Sequence, residues 1–431
     1  MPDTPSAAHR AQPTAASATT GALSHIRVLD LSRVLAGPWC TQILADMGAD
    51  VIKIEKPGEG DDTRRWGPPF LNDDQGERTD QASYYSACNR NKRSVTIDIA
   101  TPQGQALIRQ MALQSDVLVE NFKVGGLQRY GLDCESLRAL NPRLIYCSVT
   151  GFGQTGPYAE RAGYDLMIQA MCGLMSVTGR ADSEPGGGPM RVGVAAIDLF
   201  TGLYASTAIL AALEARHQTG RGQHIDMALF DVGMSILANQ AAGYLNTGAV
   251  PQRQGNSHPS LAPYQDFPSS DGAVLLAIGN DGQFARFCHA AGKPEWAADE
   301  RFATTSARVI YRSTLIPLMS ELTRTRTTAD WIALLEDKAV PCGPINNIAQ
   351  AFDDPQAKAR GLRVELPRTP SGAPVDGITH LATVASPLRL SEHPPVLRNA
   401  PPALGQHTTE VLQELGLSQA QMAELRAQGV V

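Results

Sequence analysis

Residues 26–58, IRVLDLSRVLAGPWCTQILADMGADVIKIEKPG, place a helical pattern between two short apolar runs. The runs IRVLDLS and DVIKIEKPG are rich in Val, Ile and Leu, which predicts two strands. Between them, Pro38 is typical of the first turn of a helix and Gly48 of its end. Strand, helix and strand in this order predict a βαβ unit, the building block of a parallel sheet.

The same alternation continues along the N-terminal half. The segments SVTIDIA, DVLVENF and LIYCSVTGFG predict strands, and TPQGQALIRQMALQS predicts a helix. We therefore expect an α/β fold with a Rossmann-like large domain. The first strand is followed by SRVLAGP and not by a G-x-G-x-x-G sequence, which argues against a nicotinamide dehydrogenase.

The pattern changes after Asp165. A Gly-rich segment, ADSEPGGGPM, precedes a long apolar helix, and two predicted strands separated by SSDG are followed by helical segments. We expect a large-domain segment at 25–225, a smaller α+β domain at 226–340, and a C-terminal segment at 341–431 that returns to the large domain. Residues 1–24 are rich in Ala, Ser, Thr and Pro and are predicted to be a flexible tail.

Composition excludes several classes of partner. A net charge of -6 leaves no excess of cations to neutralise phosphates, so no nucleic-acid partner is expected. Seven cysteines without a CxxC pair argue against a disulfide framework and a thiolate metal site, and a reducing cytoplasm fits this usage. Asp198 and Glu214 interrupt the most apolar stretch, which predicts a buried helix and no membrane partner.

One carboxylate stands at the head of an apolar helical run. In GYDLMIQAMCG, Asp165 precedes residues with helical periodicity. An acid in this position is commonly a helix cap or a partner of the helix dipole. It is also suited to chemistry, because backbone N–H groups at a helix start hold a carboxylate and a developing oxyanion. The local sequence leaves both interpretations open.

Motifs along nearly the whole chain from about residue 26 resemble those of the family III CoA-transferases, the CaiB/BaiF type. Besides the opening stretch and GYDLMIQA, they are NRNKRSVTIDI, DVLVENFKVGGLQRYGLD, NPRLIYCSVTGFGQTGPY, TGRGQHIDMALFD, VPCGPINNIAQAFDDPQ and LGQHTTEVL. The resemblance implies a Rossmann-like large domain and a smaller domain in a ring-shaped protomer, with two rings interlocked as a homodimer.

The resemblance also implies a role for Asp165. The matching aspartate is the nucleophile that accepts the acyl group of a CoA thioester and then carries CoA as an aspartyl thioester. The resemblance implies two substrates, an acyl-CoA, which is a coenzyme A thioester, and a free carboxylic acid. It implies no metal and no permanently bound cofactor. Within the other motifs, the resemblance implies that eight residues contact CoA, namely Val34, Ala36, Lys56, Lys92, Arg93, Asn121, Phe122 and Arg129.

Within those contacts the resemblance distinguishes three regions. Val34 and Ala36 are implied to line the adenine side, and Lys56, Lys92 and Arg93 to lie near the phosphates. Asn121 and Phe122 are implied to contact the pantetheine arm.

The segment RQGNSHPSLAPYQDF resembles a mobile, Gly-containing loop that covers the active site of relatives. It has one glycine, Gly255, where formyl-CoA:oxalate transferases have a run of glycines, which argues against oxalate. A dicarboxylate substrate requires partners for its distal carboxylate. Arg253 is the candidate cation, with Asn256 and His258 as hydrogen-bond donors.

Two other functions share the implied fold. An α-methylacyl-CoA racemase requires a second acid/base residue, but this chain reads GYD and has no histidine between His25 and His217. A non-catalytic CoA-binding homologue would be expected to lose Asp165. The motifs look closest to succinate–hydroxymethylglutarate (glutarate) CoA-transferases, so we expect succinyl-CoA as donor and glutarate, hydroxymethylglutarate, mesaconate or itaconate as acceptor.

Overall fold

The computed structural model describes residues 21–431, which form two compact units. Unit 1 comprises the described residues up to Gly163 together with Ile197–Val232 and Gly361–Val431. Unit 2 comprises Tyr164–Ala196 and Gly233–Arg360. The units differ from the expected domains in three places. Residues 164–196 interrupt the expected segment 25–225, residues 226–232 belong to unit 1, and residues 341–360 belong to unit 2.

Packing explains why residues 164–196 belong to unit 2. A Cβ atom at Gly233 would lie 2.9 Å from the Sγ atom of Cys172, and the N–H of Gly255 donates to the carbonyl of Gly179 at 3.0 Å. These contacts join segments that are distant in the sequence, so no local pattern marks the boundary.

The strands within residues 21–431 are β1 (Arg27–Asp30), β2 (Asp50–Glu55), β3 (Phe70–Asn72), β4 (Arg78–Ala82), β5 (Lys92–Thr96), β6 (Val117–Glu120), β7 (Ile145–Thr150), β8 (His224–Ala228), β9 (Tyr264–Pro268), β10 (Ala273–Ala277), β11 (Cys342–Pro344), β12 (Arg363–Pro367) and β13 (His380–Val384).

The α-helices of unit 1 and unit 2 are α1 (Ala36–Asp46), α2 (Ser83–Ser86), α3 (Pro102–Leu113), α4 (Cys134–Leu140), α5 (Asp165–Met171), α6 (Leu174–Val177), α7 (Ala196–Thr219), α8 (Leu229–Ser235), α9 (Ala238–Thr247), α10 (Asp281–Ala290), α11 (Pro294–Ala298), α12 (Thr305–Ile310), α13 (Arg312–Thr323), α14 (Thr328–Glu336), α15 (Ile348–Asp353), α16 (Pro355–Ala359), α17 (Thr408–Glu414) and α18 (Gln419–Ala427). Two short 3-10 helices, Asp62–Arg65 and Gln128–Tyr130, lie in unit 1.

Six parallel strands form the sheet of unit 1 in the order β5-β2-β1-β6-β7-β8. Numbered along the chain within this sheet, the order is 3-2-1-4-5-6, which is the Rossmann order. The predicted α/β fold with a mainly parallel sheet is confirmed. The order reverses between β1 and β6, and in such sheets ligands bind outside the carboxyl ends of the strands at this point.

Local sequence explains the elements around that point. β6 and β7 are buried along their whole length, as expected for strands with helices on both faces, and this accounts for their continuous apolar runs. Pro38 lies in the first turn of α1, and Gly48 adopts φ +104 after its end, a conformation that glycine tolerates. The predicted βαβ unit is therefore present.

The C-terminal residues pack into the core of unit 1. Val411, Leu412 and Met422 of α17 and α18 join a cluster that includes Leu29 of β1 and Ile52 of β2. This packing brings the chain end beside the parallel sheet of unit 1.

Unit 2 has its own antiparallel sheet, in the order β11-β10-β9. Its core surrounds Trp331, which is fully buried and stacks on Phe287 with ring centroids 6.2 Å apart. The indole N–H donates to the carbonyl of Thr323 at 2.7 Å, so burial leaves no polar group of this ring unpaired. This part of the chain has the α+β character expected of the smaller domain.

The predicted flexible tail is only partly within the described residues. Residues 1–20 lie outside them, whereas residues 21–24 form a turn. The N–H of Leu23 donates to the carbonyl of Met47 at 2.8 Å. A Cβ atom on Gly21 would lie 2.4 Å from the same oxygen, so a residue without a side chain suits this close approach.

Helix α7 is long and apolar enough to cross a membrane by composition, the one such helix in residues 21–431, and half of its most apolar window is buried inside the protein. Its buried residues include Ala205 and Ile209, while Phe200, Leu203 and Leu210 are exposed. The predicted buried helix thus packs on one face and presents an apolar stripe on the other.

Candidate active site

Val34 and Ala36 lie where β1 leads into α1, at the carboxyl edge of the parallel sheet. Val34 has φ +72, and its N–H points at both carboxylate oxygens of Asp61 at 3.3 Å. Ala36 is the first residue of α1 and is buried. Both predicted contacts therefore belong to the turn beside the reversal of strand order.

Asn121 and Phe122 follow β6, on the other side of the same reversal. The side-chain amide of Asn121 accepts from the N–H of Arg33 at 2.9 Å and donates to the carbonyl of Arg33 at 2.8 Å. Phe122 packs against the core of unit 1, and the guanidinium of Arg33 lies 5.7 Å from its ring centroid. The structure thus brings these residues and the β1 turn together.

Lys56 and Arg129 are exposed cations of unit 1. Lys56 follows β2, and its ammonium forms an ion pair with Glu59 on the surface. The guanidinium of Arg129 lies 4.5 Å from the ring centroid of Tyr130. Because exposed ion pairs contribute little energy, Lys56 can exchange its partner for a phosphate at low cost.

Lys92 and Arg93 were predicted phosphate ligands, and the structure gives them other partners. The ammonium of Lys92 is fully buried and contacts Asp30 Oδ2 at 3.1 Å, besides the carbonyl of Pro38 and Oδ1 of Asn89, both at 2.9 Å. The guanidinium of Arg93 pairs with Asp50 at 2.7 Å and with two glutamates of α17. Residue type alone did not reveal these pairings, which make both residues structural.

A group of buried charges surrounds Lys92. Lys53 and Asp61 form a second fully buried pair at 2.9 Å. Burial opposes ionisation of Asp30, but the positive charges of Lys92 and Lys53 outweigh it and hold the pKa of this carboxyl below its usual value. Burial likewise opposes the charge of Asp61, yet Lys53 and the N–H of Thr63 lower its pKa to about 2. Both carboxyls thus favour the charged form beside their lysines, near the carboxyl ends of β1 and β2.

Glu120, the last residue of β6, was not singled out from the sequence. Burial raises its pKa to about 7, although the Ser148 hydroxyl and the N–H of Phe122, at 2.7 Å, favour the charged form. A buried acid with a perturbed pKa next to predicted ligand contacts is typical of functional sites. Its only sequence signal is a charge that ends an otherwise apolar run.

Glu120→Gln is expected to raise the free energy of unfolding at pH 8 by ~1–3 kcal/mol. The unfolded chain ionises this group near its ordinary pKa of 4.5, whereas the folded protein resists ionisation until about pH 7. The wild type therefore loses stability as the pH rises through this interval, and glutamine removes that loss while it still accepts from Phe122. Urea unfolding at pH 5 and pH 8, with the exposed Glu77→Gln as control, measures the difference. An unchanged pH dependence would contradict the assignment.

Asp165 is the first residue of α5, and Tyr164 before it makes no side-chain capping bond. One turn later, the fully buried Gln169 donates from Nε2 to Oδ2 of Asp165 at 2.6 Å. The Oε1 atom of Gln169 accepts from the N–H of Val192 at 2.9 Å. Asp165 is thus inside the helix and not at the capping position, and Gln169 fixes the orientation of its carboxylate within unit 2.

Arg253 was predicted to receive the distal carboxylate of a substrate, and the structure gives its guanidinium partners within the protein. Its guanidinium forms an ion pair with Asp182 and donates to the carbonyl of Ser176 at 3.1 Å. The side chain is only 12% exposed. The sequence could not show this, because Asp182 lies in the distant Gly-rich segment that the fold brings beside the loop. Gly255, at φ +58, donates its N–H to the carbonyl of Gly179, two residues before that segment.

Asn256 and His258 occupy the rest of the predicted substrate loop. Asn256 is exposed and donates to Oδ1 of Asp266 at 3.0 Å. Nδ1 of His258 accepts from the N–H of Ser260 at 3.1 Å, which places the proton of the neutral ring on Nε2 as a donor. Arg312 donates to the carbonyl of His258 at 2.7 Å and to the side chain of Gln254 at 2.6 Å, so the loop is tied to α13.

A second aspartate, Asp198, lies in the first turn of α7. α7 leads into β8, so its first turn lies toward the carboxyl edge of the parallel sheet. Near the other end of α7, Arg216 pairs with Asp116 at 2.8 Å, immediately before β6 begins. These contacts orient the helix with Asp198 at the same edge as the predicted CoA contacts of unit 1.

The face of α7 that carries Asp198 meets the start of α1. Gly202 follows Asp198 by one turn, and a Cβ atom there would lie 2.7 Å from the carbonyl oxygen of Ala36. Asp198 therefore belongs to the part of unit 1 that also holds Val34 and Ala36. The sequence gives only a weak signal that Asp198 is functional. An acid one turn before a glycine in an apolar helix is equally consistent with a simple interruption of the apolar stretch.

Known proteins resemble this chain over most of its length. The family model for CoA-transferase family III matches residues 23–408. A succinate–glutarate CoA-transferase of Agrobacterium fabrum is 52% identical over 393 residues, which cover 91% of this chain and 95% of that protein. A succinyl-CoA:glutarate CoA-transferase of Homo sapiens is 41% identical over 410 residues, with coverage of 95% and 90%.

A solved structure supports the same relationship. A CAIB/BAIF family protein from Brucella suis superposes with a TM-score of 0.80 at 50% identity, covering 92% of this chain and 100% of that one. The resemblance inferred from the sequence motifs is confirmed by the matched range and by these relatives. The protein is therefore an enzyme that belongs to CoA-transferase family III.

Proposed function

We propose that this enzyme moves CoA from succinyl-CoA to a dicarboxylate, with glutarate as the first acceptor to test and hydroxymethylglutarate, mesaconate and itaconate as the others. The observation that carries the proposal is the 52% identity, over nine tenths of both chains, to a protein named for succinate and glutarate. The single Gly255 in the loop supports a dicarboxylate longer than oxalate.

The proposed reaction passes through an aspartyl thioester. The aspartate carboxylate attacks the thioester carbonyl of succinyl-CoA, giving a mixed anhydride and CoA thiolate. The thiolate attacks the aspartyl carbonyl of the anhydride, which releases succinate and leaves CoA on the protein. The acceptor carboxylate then attacks this thioester, forming a second anhydride and thiolate. Thiolate attack on the acceptor carbonyl gives the new acyl-CoA and restores the aspartate.

We infer that Asp165 is the aspartate that carries the acyl group and then CoA. The family resemblance implies this role for it, and two features of unit 2 support it. Its side chain is only partly buried, so a substrate can reach the carboxylate. The buried Gln169 holds Oδ2 at 2.6 Å, which orients the carboxylate before the attack.

Asp198 is the second candidate for the carrier. Its helix face meets Ala36 at the edge where a Rossmann sheet binds its ligand, so it belongs to the same unit as the proposed CoA contacts. The family resemblance gives it no role in the chemistry. The two aspartates are distinguished by the residue that becomes acylated.

We propose that CoA binds at the carboxyl edge of unit 1. Val34, Ala36, Asn121 and Phe122 line the proposed site around the reversal of strand order. Lys56 and Arg129 are the proposed phosphate partners because both are exposed and can make charge-assisted bonds. In the substrate loop, Asn256 and the Nε2 donor of His258 remain the proposed partners of the distal carboxylate, with Gly255 allowing the turn from Gln254 to Ser257.

A panel of acceptors tests the proposed substrates. Purified enzyme with succinyl-CoA is expected to convert glutarate at least about tenfold faster than valerate, because a loop that bonds the distal carboxylate gains a charge-assisted contact. Chromatography of the CoA thioesters measures both products. Equal rates with the two acids, or a preference for oxalate, would contradict dicarboxylate selection.

We propose that two ring-shaped protomers interlock as a homodimer. The exposed apolar stripe of α7, with Phe200, Leu203 and Leu210, supports burial against another surface. Interlocked rings separate only when one of them opens, so subunit exchange between tagged and untagged protein is expected to be as slow as unfolding. Mass spectrometry of mixed samples follows the exchange, and rapid formation of mixed dimers would contradict the interlocked arrangement.

We also propose a reducing cytoplasm as the compartment. All seven cysteines lie within the described residues and are free, and five of them are buried. The proposed partners are acyl-CoA, a carboxylic acid and a second copy of the chain, without nucleic acid, membrane or permanently bound cofactor.

A further inference from the structure

Val34 adopts a backbone conformation that its side chain disfavours. Its φ of +72 lies in the left-handed region, where a β-branched residue is an outlier. Such conformations persist only where surrounding contacts enforce them, and they cluster at functional sites. The turn after β1 therefore raises the question of which groups hold Val34 there.

Hydrogen bonds reach this turn from two other segments. Asn121 binds both backbone groups of Arg33, accepting from its N–H at 2.9 Å and donating to its carbonyl at 2.8 Å. Asp61 accepts from the N–H of Val34 at 3.3 Å, and Lys53 holds Asp61 in a fully buried pair. Side chains thus fix the N–H and the carbonyl of Arg33 and the N–H of Val34, which are the backbone groups that lead into the strained conformation.

The orientation of the Asn121 amide is determined by these bonds. The N–H of Arg33 can only donate and its carbonyl can only accept, so Oδ1 must face the former and Nδ2 the latter. The side chain bonds to both backbone groups of one residue, as the backbone of a neighbouring strand would. It thereby determines the conformation of the turn. This role differs from the direct contact with pantetheine that the family resemblance implies for Asn121.

We propose that Asn121 is a positioning residue, which holds the turn at Val34 in its left-handed conformation and so shapes the CoA site. The inference rests on the proposed binding of CoA at this edge of unit 1. Its consequence is that Asn121 acts through the backbone of Arg33 and Val34, and that removing the strain at Val34 makes Asn121 dispensable.

A double-mutant cycle with Val34→Gly tests this, because glycine adopts positive φ without a steric penalty. Isothermal titration with CoA gives Kd for the wild type, Asn121→Ala, Val34→Gly and the double variant, all below their melting temperatures. In the wild-type background, Asn121→Ala is expected to weaken binding on the order of tenfold. In the Val34→Gly background, the same change is expected to weaken binding less than about threefold.

Other results would overturn the proposal. A similar loss on Asn121→Ala in both backgrounds shows that the amide contacts CoA directly, and no loss in the wild-type background shows that the turn does not need it. Asn72→Ala, an exposed asparagine on β3, is the matched control and is expected to leave Kd unchanged. If the wild type itself does not bind CoA, the proposed site fails and not the coupling alone.

Discussion

Asp165→Ala is expected to abolish CoA transfer, with a loss in kcat on the order of 10⁴-fold or more. Alanine has no carboxylate, so neither the anhydride nor the aspartyl thioester can form. Wild-type enzyme incubated with succinyl-CoA and then hydroxylamine should acquire a hydroxamate on the peptide that contains Asp165. Mass spectrometry of the digested protein locates the modification, and Asp165→Ala should lack it.

Asp198→Ala is the matched variant that separates the two candidates. If Asp165 is the carrier, the Asp198→Ala protein keeps the hydroxamate on Asp165, even where its turnover is lower. A hydroxamate on Asp198 that disappears only in Asp198→Ala would instead establish the second candidate and overturn the role that the family resemblance implies. CoA binding and the melting temperature of each variant show whether the fold has survived.

Lys92→Met is expected to lower the free energy of unfolding by ~3–5 kcal/mol, because it leaves Asp30 buried with one positive partner fewer. Methionine is similar in length and removes only the charge and the hydrogen bonds to Asp30, Pro38 and Asn89. Urea unfolding measures the global change, and hydrogen exchange of the amides of β1 and β5 locates it. The folded variant should bind CoA with nearly the affinity of the wild type.

Lys56→Met is the matched control for Lys92→Met. Lys56 is exposed, so the free energy of unfolding should change by less than ~0.5 kcal/mol. The affinity for CoA should fall about tenfold if the ammonium receives a phosphate. The opposite pattern, with CoA binding lost at Lys92 and stability unchanged, would show that Lys92 leaves its buried pair to bind the ligand.

The amino-acid sequence determined the architecture of unit 1 because its signals are local. The apolar runs of β1, β2, β6 and β7, with Pro38 and Gly48 around α1, reflect the backbone preferences of neighbouring residues. A chain that alternates such strands and helices forms a parallel sheet with right-handed crossovers, which leaves few possible topologies. The ordered motifs were also sufficient to indicate the family.

The tertiary structure decided which charged residues are available for chemistry. Lys56 and Lys92 look alike in the sequence, but only the fold exposes one and places the other beside Asp30. Arg253 is occupied because Asp182, distant in the sequence, folds beside it. A side chain's charge is a local property, whereas its burial and partners depend on residues that meet only after folding.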